Sequence, residues 1–303
     1  MEDVSTKEIE KDKTLKENRY LSGLPVRDRI LLDVKSYSVN QNNMGALVSI
    51  CIGQTPETAI YVRNQANAAR KSEIKFNEQI WDHDITQEEC KQRILKLNDS
   101  SEVLGIILQR PVPNHINVRS LQSAIHPLKD VEGMNPASIG NIVYSDIAMA
   151  PCTAAASVEL IRETGLKMEG LEVVMIGHSE IVGKPIAFLL MAEGATVTVC
   201  HHMTRSVAMH SRRADVVIVA IGKPLFIKSD MIKPGAAVID IGINQISDMH
   251  GVTKIVGDVD SESVKEIAGW ITPVPGGVGP VTVAMLMKNA VHAHKRQKEE
   301  KWI

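Results

Sequence analysis

The stretch Val173-Val174-Met175-Ile176-Gly177-His178-Ser179-Glu180-Ile181-Val182-Gly183-Lys184-Pro185 constrains this chain more than any other. A short apolar run leads through a glycine turn into a helical start, the setting in which a Rossmann-type fingerprint has physical meaning. Gly177 permits a tight turn, Gly183 permits close helix packing, and the helix N-terminus would face an anion. Ser179 replaces the middle glycine of the pattern, and its hydroxyl and backbone could contact phosphate. A purely structural turn is the competing reading; the surrounding βαβ alternation favours a dinucleotide.

That alternation runs through the chain. Apolar runs predict buried strands over 46–52, 103–108, 172–176, 196–200, 215–221, 236–241 and 270–272. Helical spacing predicts helices over 24–38, 56–71, 86–97, 153–164 and 279–298, with Thr55 and Thr86 as N-caps and Pro56 at the first helical position. The fold class expected is α/β with two domains, as the length of 303 residues also suggests. The boundaries are placed at 1–148, 149–278 and 279–303. The first 20 residues are expected to be a flexible extension, and the last helix to return to the first domain.

Lys and Arg number 34 against 36 Asp and Glu, a net charge of −2, so neither nucleic acid nor an anionic membrane is expected as the main partner. Three Phe, three Trp and four Tyr leave little for stacking on single-stranded bases. Cys51, Cys90, Cys152 and Cys200 are far apart and lack zinc-ligand spacing, so no metal is expected and a reduced, cytoplasmic protein is. The charged N-terminus has no apolar core and does not read as a signal peptide, and no apolar run is long enough to span a membrane.

The end of the strand 196–200 bears on which dinucleotide binds. An acidic residue there would hold the ribose 2′-hydroxyl of NAD. The sequence instead has Cys200-His201-His202-Met203-Thr204-Arg205, which tolerates a 2′-phosphate and favours NADP over NAD. For His202 and Arg205 a solvated loop is an equal alternative.

Four further stretches carry a resemblance. They are Gly53-Gln54-Thr55-Pro56 leading to Tyr61-Val62-Arg63-Asn64-Gln65, Leu108-Gln109-Arg110-Pro111-Val112-Pro113, Lys129-Asp130-Val131-Glu132-Gly133-Met134-Asn135-Pro136, and Thr272-Pro273-Val274-Pro275-Gly276-Gly277-Val278-Gly279-Pro280-Val281-Thr282. With the glycine turn they resemble the bifunctional methylenetetrahydrofolate dehydrogenase/methenyltetrahydrofolate cyclohydrolase family over nearly everything from Leu21 to Ala293. The resemblance implies an N-terminal α/β folate-binding domain, a Rossmann-type NAD(P)-binding domain, a cleft between them, and a homodimer. It implies hydride transfer from 5,10-methylenetetrahydrofolate to the nicotinamide, then hydrolysis of the methenyl product to 10-formyltetrahydrofolate. The first step rests on orienting two rings; the second needs a group that gives and takes a proton near neutral pH.

Carried onto this sequence, the resemblance makes Tyr61, Gln65 and Gln109 the catalytic positions. Substrate contacts fall to Tyr61, Glu132, Pro273, Gly276, Gly277 and Pro280. Cofactor contacts fall to Gly177, His178, Ser179, Ile181, Gly183, His202, Arg205 and Ile243. For Tyr61, a core residue is the competing reading of a Tyr on a helix.

The departures matter as much. The family places a Lys four residues after the Tyr, on the same helix face, where this chain has Gln65, and Asn67 stands where a second Lys often sits. An amide hydrogen-bonds but accepts no proton at working pH, so the hydrolytic step is expected to be weak or absent. Glu132 replaces an Asp, and Arg110 replaces an apolar residue beside Gln109. His178 and His202 stand where NADP-using relatives commonly have Arg and Ser; with an ordinary imidazole value of ~6.5 either could bind phosphate when protonated. Three readings follow. The leading one is a dehydrogenase whose pathway needs a separate cyclohydrolase; the others are a fully bifunctional enzyme and a catalytically lapsed folate- or nucleotide-binding subunit.

Overall fold

A computed structural model describes residues 20–247 and 253–300 of the chain; the expected extension over residues 1–20 lies almost wholly outside them. The chain divides into two units. One contains Arg27–Cys152 and Thr282 onward, and the other contains Thr153–Val281 together with the described residues before Arg27.

The first unit is built on a three-stranded parallel sheet in the order β2-β1-β3, from Ala46–Ile52 (β1), Lys75–Trp81 (β2) and Val103–Leu108 (β3). β1 and β3 are buried at every position, as strands covered on both faces must be. The edge strand β2, KFNEQIW, carries polar Lys75, Asn77, Glu78 and Gln79 and leaves four of its seven residues exposed, so it lacks the apolar run that marks its neighbours. Helix Pro56–Lys71 joins β1 to β2. Thr55 caps it, accepting from the Thr58 N–H while the Thr58 hydroxyl accepts from the Thr55 N–H, and Pro56 occupies the first turn. Thr86 and Glu89 form the same reciprocal cap on helix Gln87–Asp99. The core gathers Val48, Ile50, Ile52, Trp81, Ile94, Ile106 and Leu121.

The segment after Thr282 belongs to helix Val278–Glu299. Two buried amides on it hold backbone carbonyls of this unit. Asn289 Nδ2 donates to Val131 O and Ala150 O at 2.9 and 3.0 Å, and Gln297 Nε2 donates to Leu104 O and Leu128 O at 2.8 and 2.7 Å.

The second unit carries a five-stranded parallel sheet ordered β10-β7-β6-β4-β5. Its strands are Glu172–Ile176 (β4), Thr196–Cys200 (β5), Val216–Val219 (β6), Ala237–Asp240 (β7) and Trp270–Ile271 (β10). The interior strands β6 and β7 are fully buried, β6 as a Val/Ile run and β7 as Ala-Val-Ile ending in Asp240. They end earlier than the apolar runs 215–221 and 236–241 suggest, because the chain turns into loops at their C-terminal ends. A two-stranded ribbon of Asn244–Ser247 (β8) and Thr253–Val256 (β9) follows β7. All four cysteines are free and buried. No helix among the described residues is long and apolar enough to cross a membrane.

Candidate functional site

In the first unit, Gln109 directly follows β3 and lies buried beside the C-terminal end of β1. Its amide nitrogen donates to Ser49 Oγ at 3.0 Å and to Gln65 Oε1 at 2.6 Å. Both N–H groups of that amide are therefore used, and Gln65 is locked as an acceptor. Tyr61 stands one turn earlier on the same helix and is 50% exposed, which removes the core reading and leaves its ring and hydroxyl open to a ligand. Asn67 instead faces Arg70, from which it accepts a hydrogen bond. Ser49 is a member of this amide network that sequence reasoning missed. A polar residue inside the apolar run 46–52 was the available signal.

Glu132 is half-buried, and one of its carboxylate oxygens accepts from the Leu108 N–H at 2.9 Å, one residue before Gln109. Burial pushes its carboxyl up to about 7, with the Asp130 carboxylate adding to the rise and the Leu108 N–H and Arg110 opposing it. The folded state thus binds a proton that the unfolded chain releases above its ordinary value near 4.5. The stability this group contributes is complete below pH 4.5 and is lost as pH climbs through about 7. Glu132→Gln should therefore leave stability unchanged at pH 4 and raise it by about 2 kcal/mol at pH 8, after allowing for the exposed part of the carboxyl. Denaturant midpoints at the two pH values check this, and an equal shift at both would refute it.

Pro273, Gly276, Gly277 and Pro280 lie in the other unit, after β10. Gly276 O accepts from the Gly23 N–H at 2.9 Å, and Leu21 N donates to Ile271 O, so the segment before Arg27 is stitched along this loop.

The glycine turn joins β4 to helix Gly183–Ala192. Gly177 has φ 120°, and a Cβ on it would lie 2.2 Å from Ala220 O; a Cβ on Gly183 would lie 2.1 Å from Gly177 O. A side chain at either position would collide with that backbone, so the tight turn and the close approach of the helix to it both require glycine. Ser179 Oγ accepts from the Val182 and Gly183 N–H groups at 3.2 and 3.4 Å, so its hydroxyl proton is what remains to offer a phosphate. His178 leaves the end of β4 beside the end of β5, since Ile176 and Cys200 pair and the Gly177 N–H donates to Cys200 O. His178, Ile181, His202 and Arg205 are all exposed. Ile243 is 61% exposed on the loop between β7 and β8.

Sequence reasoning missed a pair of buried aspartates at the C-terminal end of this sheet. Asp240 accepts from the N–H groups of Gly242, Asp258 and Val259 at 2.9 to 3.0 Å. Asp258 accepts from the N–H groups of Ile221 and Gly222 and from Asn244 Nδ2. Burial pushes the Asp240 carboxyl up to about 6, partly offset by its N–H donors, while Asp258 adds repulsion. Three loops are thereby tied together at the sheet edge where α/β folds bind ligands. The signal was an Asp closing an apolar strand immediately before Gly242.

Comparison with known proteins matches both units. The model of the tetrahydrofolate dehydrogenase/cyclohydrolase catalytic domain matches residues 21–132, and that of the same family's NAD(P)-binding domain matches residues 151–298. The bifunctional protein FolD 3 of Roseobacter denitrificans is 72% identical over 288 residues, covering 95% of this chain and 99% of its own. Among solved structures, the bifunctional methylenetetrahydrofolate dehydrogenase/cyclohydrolase FolD of Campylobacter jejuni is 37% identical with a TM-score of 0.87, covering 92% of this chain and 99% of its own. The methylenetetrahydrofolate dehydrogenase-cyclohydrolase of Trypanosoma brucei, complexed with NADP cofactor and inhibitor, is 34% identical with a TM-score of 0.86, covering 92% and 98%. With both domain models matched in order and a relative 72% identical along nearly its whole length, the chain belongs to the tetrahydrofolate dehydrogenase/cyclohydrolase family of enzymes.

Proposed function

We propose that this enzyme oxidises 5,10-methylenetetrahydrofolate to the 5,10-methenyl form with NADP, and that its hydrolytic step is weak or absent. The observation that carries the second half is the Gln109–Gln65 hydrogen bond of 2.6 Å, which puts a neutral amide where a proton carrier is needed. NADP is supported by the NAD(P)-binding domain match, by the Trypanosoma brucei relative, and by the absence of a carboxylate in the turn 200–205. The turn from Gly177 to Gly183 would take the pyrophosphate, with the Ser179 hydroxyl proton directed to it and His178, His202 and Arg205 facing the 2′-phosphate. When bound, the nicotinamide supplies the hydride acceptor. The protein's share is orientation: Tyr61 stacks against the folate, and Glu132 answers the pterin amino group.

One observation favours a second reading. Glu132, with its carboxyl pushed up to about 7, is able to exchange a proton near neutrality and could carry the hydrolytic step in place of the missing Lys. A single assay separates the readings. With 5,10-methylenetetrahydrofolate and NADP, methenyl and reduced-nicotinamide absorbance are followed separately. The expected result is methenyl that accumulates and decays at the spontaneous rate. Faster decay that disappears in Glu132→Gln would favour the second reading, and no reduced nicotinamide with either NADP or NAD would overturn hydride transfer altogether.

A further inference from the structure

We propose that His178, His201 and His202 form a binding site for a divalent transition-metal ion of the zinc, cobalt or copper type. Each ring offers one nitrogen, and these three atoms lie within 4.8 Å of one another. The ring centres of His178 and His201 are 4.7 Å apart, those of His201 and His202 5.8 Å, and those of His178 and His202 6.1 Å. Strand register creates the cluster: β4 and β5 run parallel with Ile176 opposite Cys200, so the residues leaving both strands emerge side by side. Gly177 N donates to Cys200 O at 2.8 Å, and His201 and Thr204 close a tight turn through His201 N to Thr204 Oγ1 and Thr204 N to His201 O. The backbone under the rings is therefore fixed.

Three imidazoles this close repel one another if all are charged, whereas their neutral lone pairs converge on a metal ion. A tetrahedral ion with bonds of about 2.0–2.1 Å needs its nitrogens about 3.4 Å apart, so the rings must close in slightly. His178 and His202 are exposed and free to rotate that far. His201 Nδ1 accepts from the Met203 N–H at 3.2 Å. Ligation through either ring nitrogen gives up that bond, and Met203 is 74% exposed, so water replaces the partner. The donor set is all nitrogen with no carboxylate, which selects against magnesium and calcium. Three protein ligands leave the fourth position open to water or an anion oxygen. The site shares His178 and His202 with the 2′-phosphate position proposed above, so metal and that phosphate compete for these rings, and the test uses the metal alone, without cofactor.

Tag-free protein stripped with chelator is titrated with Co²⁺ while the visible absorption is followed, then back-titrated with Zn²⁺. The expected result is one Co²⁺ per chain with a four-coordinate spectrum, displaced by Zn²⁺ and not by Mg²⁺. His201→Ala and His202→Ala should each weaken binding at least about tenfold, the scale at which even outer-shell changes act. His210→Ala, on helix Val207–Ser211 outside the cluster, should bind as the wild type does. Circular dichroism confirms that each variant is folded. Absence of the Co²⁺ band, binding that survives both cluster substitutions, equal affinity for Mg²⁺, or uptake of inorganic phosphate in place of metal would overturn the proposal.

Discussion

Gln65→Lys should convert a methenyl-accumulating enzyme into one that hydrolyses its own product, with the hydrolytic rate rising on the order of 10²–10⁴-fold, the usual range for a positioned proton carrier. The local structure accommodates the change. Position 65 lies in the middle of helix Pro56–Lys71, and Lys has a helical propensity close to that of the Gln it replaces. Gln109 now points its amide nitrogen at Gln65 Oε1. Turned over, the same amide presents its oxygen to a Lys ammonium, a charge-assisted pair in place of a neutral one. The dehydrogenase rate should change far less, because hydride transfer depends on ring orientation. Separate recording of methenyl decay and nicotinamide reduction decides the matter. A variant that binds and oxidises substrate normally yet gains no hydrolysis would show that Gln65 is not the cause of the deficit.

Asp240→Ala should lower stability by about 3–5 kcal/mol, the largest loss we expect from one substitution outside the apolar cores. Three backbone N–H groups lose their acceptor inside the protein, and each stranded donor costs about 1–3 kcal/mol. Relief of a buried carboxylate whose pKa is raised to about 6 returns part of this, on the order of 2–3 kcal/mol at neutral pH. The donors outweigh that relief. Asp240→Asn should fall between the two, since one amide oxygen can keep the Gly242 and Asp258 donors while its N–H₂ meets the Val259 N–H donor to donor. Urea unfolding of the three proteins at pH 7 gives the order directly, and an alanine variant as stable as wild type would refute the account.

The strands at 46–52, 103–108, 172–176 and 196–200 were legible because buried parallel strands leave unbroken apolar runs, and the caps Thr55 and Thr86 because their chemistry is local. β2 was illegible for the opposite reason. An edge strand needs no apolar run, and Lys75, Asn77, Glu78 and Gln79 leave none here to find. The short helices Val118–Ala124 and Pro136–Val143 carry too few turns for periodicity to register. Within the candidate site, single residues were legible but their partnerships were not. Ser49, Gln65 and Gln109 are joined across 44 and 60 positions of sequence, and His178 meets His201 only through the pairing of β4 with β5. Spacing along a chain cannot report contacts that a sheet creates.

The two amides on helix Val278–Glu299 bear on the order in which the protein takes shape during synthesis. Asn289 and Gln297 satisfy four carbonyls in a unit whose other residues, Arg27–Cys152, leave the ribosome more than a hundred positions earlier. The unit translated first is thus the one finished last: the amide contacts to Leu104, Leu128, Val131 and Ala150 form only after the intervening Thr153–Val281 unit has emerged. A nascent chain halted before Thr282 would hold every strand of the five-stranded sheet but lack the helix segment whose amides Asn289 and Gln297 complete the other unit.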